Sequence, residues 1–64
     1  MDITTYEQAV QELADAEADV AGDMGEEALE GAWYDVVRSV GDRCTPGVKR
    51  EFYQHTLGFM PDNA

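Results

Sequence analysis

From Tyr6 to Val20 the apolar residues return every three or four positions, as Tyr6, Ala9, Val10, Leu13, Ala16 and Val20. That period suits an α-helix with one buried face and does not suit a strand. It recurs in Leu29, Trp33, Val36, Val37 and Val40, and more briefly in Val48, Phe52 and His55, while no stretch alternates apolar and polar residues. Punctuation separates the three segments. Thr4 or Thr5, followed three positions on by Glu7 or Gln8, reads as a capping box, and Gly22 as the stop of a first helix over about 6–21. Asp23-Met-Gly-Glu26 repeats the start signature for a second helix that ends near Val40, with Gly41 just beyond it. Thr45-Pro46 puts proline in the first turn of a third helix, which Gly58 ends. The expectation is one all-α domain over residues 1–64, a small three-helix bundle. Trp33 and Phe52 should lie at its centre, with Phe59 and Met60 folded back over it.

A chain of 64 residues buries only about 60% of the surface its unfolded form exposes, so the core is thin. Against that thin core stands a net charge of −10, from 14 acids and 4 Lys or Arg, where small domains usually carry a magnitude of ~2–8. Residues 1–32 hold ten acids and no base, whereas residues 33–64 hold four of each. The net charge therefore belongs to the first half, and ELADAEADVAGDMGEE, residues 12–27, packs seven carboxylates into sixteen positions.

On the first helix Glu12, Asp15 and Asp19 fall away from the apolar face, spaced by ~4.5 and ~6 Å along the axis at ~1.5 Å per residue. Asp23, Glu26, Glu27 and Glu30 extend the row into the second helix. Like charges ~6 Å apart in water repel by roughly 0.7 kcal/mol. A sequence shaped for stability alone would answer such acids with lysine four positions on, and this one never does. Folding does not explain the pattern, so a positively charged partner is the expected explanation.

Other readings fare worse. A salt-rich cytoplasm favours acids on every surface, and the balanced second half counts against that. Asp15, Glu17, Asp19, Asp23 and Glu26 match positions 1, 3, 5, 9 and 12 of a calcium-binding loop, but the turn glycine at position 6 is Val20. No metal or other cofactor is expected. Cys44 is the single cysteine and His55 the single histidine, which excludes an internal disulfide and a Cys/His zinc site. Neither has a partner that makes a nucleophile, and exposed carboxylates on an open helix face are not an acid-base pair. An acyl carrier needs a serine opening a helix in an Asp-Ser-Leu context; Ser39, in Arg-Ser-Val, does not supply it. MDITTYEQ has neither a basic nor an apolar leader region, and no apolar run approaches 18 residues, so a soluble, cytoplasmic protein is expected.

Two residues break the pattern of faces. Glu17 falls in the apolar sector of the first helix, so it needs a partner such as Arg38, Lys49 or Arg50, or a wet margin of the core. Gly31 interrupts the outward face of the second helix, where alanine is better by ~1 kcal/mol. Tyr6, Tyr34 and Tyr53 are either the border of the core or contacts at the edge of the acidic patch.

In short length, helical punctuation and the one-sided row Glu12, Asp15, Asp19, Asp23, Glu26, Glu27 and Glu30, the chain resembles the small acidic proteins that bacteriophages use as DNA mimics against restriction or CRISPR machinery. The resemblance is one of type, covers roughly the first half and rests on no diagnostic motif. It implies an anti-CRISPR or anti-restriction inhibitor without catalysis that binds a basic nucleic-acid-binding protein in the host cell cytoplasm; the thin core is compatible with a monomer or a homodimer. The resemblance also implies that these seven acids are the partner-binding residues. An adaptor or regulatory module docking on a basic protein surface is the alternative.

Overall fold

The computed structural model describes residues 2–61, and within them three helices follow in order: α1 (Tyr6–Met24), α2 (Glu26–Gly41) and α3 (Pro46–Thr56). The protein is an all-α three-helix bundle. Thr5 caps α1, its hydroxyl accepting from the Gln8 backbone N–H at 3.1 Å. Thr45 and Pro46 open α3, with proline in the first turn, where its missing N–H would have had no helical partner.

The first helix does not end at Gly22. It continues to Met24, and Asp23, expected to cap α2, is part of α1 instead. Gly22 is exposed with nothing near its Cβ position, and its cost of ~1 kcal/mol relative to alanine does not break a helix held by its packed face. The break comes at Gly25, whose φ of 93° and ψ of 164° belong to a region that only glycine occupies readily. This residue closes α1 through its N–H to the Ala21 carbonyl at 2.9 Å, and opens α2 through its own carbonyl to the Leu29 N–H at 3.1 Å. Gly41 is likewise the last residue of α2, and Asp42 takes the cap position in a right-handed conformation.

α1 packs chiefly along α2, and α3 closes against both. The core consists of Ile3, Ala9, Val37, Val40, Cys44, Phe52 and Tyr53, flanked by partly buried Leu13, Ala16, Trp33, Val48 and Leu57. Phe52 is central as expected, but Trp33 lies at the margin and Tyr53 takes its place inside. Val10, counted on the inner face of α1, is 44% exposed; Phe59 and Met60 are exposed rather than folded over the core. His55 is exposed, its ring 5.4 Å from that of half-buried Tyr6.

A short N-terminal segment completes the core. Ile3 forms an isolated parallel bridge with Cys44, its N–H donating to the Arg43 carbonyl at 2.8 Å and its carbonyl accepting from Thr45 at 2.9 Å. These bonds tie the start of the chain to the α2–α3 connection and bury the Ile3 side chain. Nearby, Tyr53 lies against Gly41, and its hydroxyl is 3.1 Å from Asp42 Oδ1 and 3.4 Å from the Arg38 carbonyl. Burial first, then the Asp42 hydrogen bond, pushes this phenol up to about 12.

Candidate functional site

Successive residues on a helix turn by about 100°, so positions four apart drift by only about 40°. Asp15, Asp19 and Asp23 therefore form one slowly winding stripe along the C-terminal half of α1, and all three are exposed. Glu12 continues the stripe toward the N-terminus but is half-buried, its Oε1 2.9 Å from Arg43 Nη1. Arg43 reaches it from the α2–α3 connection, the same segment that Ile3 fixes in place. The row, expected to be uncompensated, is therefore answered by a cation at Glu12. The other ion pair among the described residues, Arg38 with Asp42 at 3.7 Å, lies outside the row.

Glu26 and Glu27 are also exposed, but they occupy the first turn of α2. There the unpaired N–H groups and the helix dipole favour negative charge by ~0.3–1 kcal/mol each. Folding thus accounts for these two. It does the opposite for Asp23, which sits in the last turn of α1, where no basic residue is present and the dipole opposes a carboxylate.

Glu17 lies about 160° around the helix from Asp19, on the other flank of α1. It has none of the cationic partners considered for it. Its Oε1 accepts from the Trp33 indole Nε1–H at 3.3 Å, within a part-buried contact. Beside this contact lies an open cleft of about 540 Å³ lined by Glu17, Ala21, Glu26, Leu29, Glu30 and Trp33.

The seven acids of the row consequently divide. Asp15, Asp19 and Asp23 share the α1 stripe with Glu12 at its end, while Glu26 and Glu30 join Glu17 at the cleft. Glu27, about 100° around α2 from Glu26, is absent from the cleft lining. The cleft escaped the sequence reading because Glu17 and Trp33 stand 16 residues apart. Its one signal was Glu17 itself, an acid within an apolar sector.

The chain matches no protein-family model, no curated protein and no solved structure.

Asp15 through Met24 are continuously helical, so the acids that match a calcium loop in spacing do not form a loop. Among the described residues no group of three or more His, Cys, Asp or Glu is placed to hold a metal ion, and no helix is long and apolar enough to cross a membrane. Cys44 is buried, with its Sγ 3.5 Å from the Val40 carbonyl, and burial raises its thiol.

Proposed function

We propose that this protein is a non-enzymatic inhibitor that mimics nucleic acid and occupies the DNA-binding cleft of a CRISPR effector or restriction enzyme. The observation that carries the reading is the stripe Asp15, Asp19 and Asp23. These acids are exposed, take part in no ion pair among the described residues and run toward the negative end of their own helix. Glu12 is answered by Arg43, Glu26 and Glu27 by the α2 N-terminus, and Glu17 by Trp33. The three aspartates have no such reason to be there.

Their axial separation of ~6 Å, against ~3.4 Å per phosphate along a strand, gives about one carboxylate for every two phosphates. A protein cavity lined by Lys and Arg to hold DNA offers such a row the counter-charge it lacks at home. Association driven this way is fast and falls steeply with salt. Because the row lies on a helix held by its packed face, little ordering accompanies binding.

The test is charge reversal. Asp15→Lys with Asp19→Lys should abolish inhibition of the nuclease while the far-ultraviolet circular dichroism stays helical. Retained inhibition excludes the stripe as the binding surface; loss of helicity assigns the two acids a structural role.

A further inference from the structure

The cleft between α1 and α2 is a different surface from the aspartate stripe. Ala21, Leu29 and Trp33 give it mainly apolar walls, and Glu17, Glu26 and Glu30 stand around them. Trp33 is the only tryptophan in the chain, and it is partly buried, packs against the core and lines this groove. Its one polar group is engaged by Glu17, which fixes the ring and orients the carboxylate beside it. None of the four basic residues, Arg38, Arg43, Lys49 and Arg50, lines the groove, so among the described residues no cationic side chain occupies it.

We propose that this groove is the seat of an arginine side chain projecting from the basic partner. The methylene stem lies along Leu29 and Ala21, the guanidinium stacks on the Trp33 ring, and Glu26 and Glu30 accept its N–H groups from the rim. Arginine fits better than lysine on two counts. A planar guanidinium stacks on an aromatic face and donates in a fork to a carboxylate, whereas an ammonium is a strongly hydrated point charge. The apolar walls suit the stem, and the acidic rim matches the head in sign. A Trp-centred anchor of this kind concentrates binding energy that a row of exposed carboxylates spreads thinly. It gives the protein a site-specific contact beside its general electrostatic attraction.

The proposal rests on the reading of a basic partner, yet its test needs no partner. The probe is acetyl-Gly-Arg-Gly-amide, titrated into the protein at low salt, with Trp33 fluorescence and the indole N–H resonance as readouts. The expected result is saturable binding that moves the indole resonance, with no such response to the citrulline analogue, which keeps the shape and loses the charge. Glu26→Gln and Glu30→Gln should each weaken binding by about threefold or more. Asp15→Asn removes the same charge from the stripe and should leave it nearly unchanged. All three positions are exposed, and an unchanged circular dichroism spectrum verifies the fold. The proposal is overturned if the probe does not saturate, if the citrulline peptide binds equally well, or if Asp15→Asn weakens binding as much as Glu30→Gln. Failure here leaves competition with duplex DNA untouched, and failure of that competition leaves a positive tripeptide result standing.

Discussion

Gly41→Ala should destabilise this protein strongly, although alanine is the better helix former. A Cβ built on Gly41 meets Cζ, Oη and Cε1 of Tyr53 well inside van der Waals contact. Tyr53 is fully buried and cannot swing into solvent. Its hydroxyl also holds Asp42 and approaches the Arg38 carbonyl, so displacing the ring breaks these contacts as well. Overpacking of a filled core costs ~1–3 kcal/mol, and a lost hydrogen bond about 1 kcal/mol more. The gain in helix propensity offsets at most ~1 kcal/mol. The net loss is about 2 kcal/mol, which in a domain of this size lowers Tm by roughly 8–16 °C. Thermal unfolding followed by circular dichroism reads this directly, and Gly31→Ala is the internal control. Gly31 is exposed in the same helix with nothing near its Cβ position, so there the substitution should raise Tm. If Gly41→Ala matches or exceeds the wild-type Tm, the packing of Tyr53 against α2 is wrong.

At Gly25 the same substitution meets no steric obstacle but forces a φ of 93° on alanine, and it should cost ~1–2 kcal/mol in a denaturant titration. The phenol of Tyr53 is raised from 10 to about 12, so the folded protein holds this proton more tightly than the unfolded chain. Its contribution is full below pH 10 and is lost as pH rises toward about 12; the difference in stability between wild type and Tyr53→Phe should shrink across that window. Cys44, buried and with its thiol raised by that burial, should resist iodoacetamide at pH 8 in the native state and react on unfolding.

The three helices were legible because their apolar residues keep a helical period and because Thr5 and Pro46 mark true starts. The turn between α1 and α2 was not, since Gly22 and Gly25 look alike in sequence. What separates them is a backbone dihedral imposed by how the two helices pack. Ile3 was missed for a related reason: a lone apolar residue before a helix has no period, and only its backbone pairing with the α2–α3 connection buries it. Tyr53 stayed ambiguous because a tyrosine is buried only if its hydroxyl finds a partner. Asp42 supplies that partner from another element.

At the candidate site, spacing along one helix was readable and gave the Asp15, Asp19 and Asp23 stripe. Relations between elements were not. The Glu12–Arg43 pair and the Glu17–Trp33 hydrogen bond both join residues far apart in the chain, and together they divide a row that seemed continuous into a stripe and a cleft. The division sharpens the functional question, because it sets apart on α1 three exposed carboxylates that folding does not explain, with Glu30 a fourth at the cleft.

Nucleic-acid mimicry is tested most directly by offering the protein a CRISPR effector or restriction enzyme with and without duplex DNA already in its cleft. The account predicts that the free enzyme is bound, that DNA-loaded enzyme is not, and that rising DNA concentration displaces the protein competitively. A stable ternary complex of enzyme, DNA and this protein would contradict it.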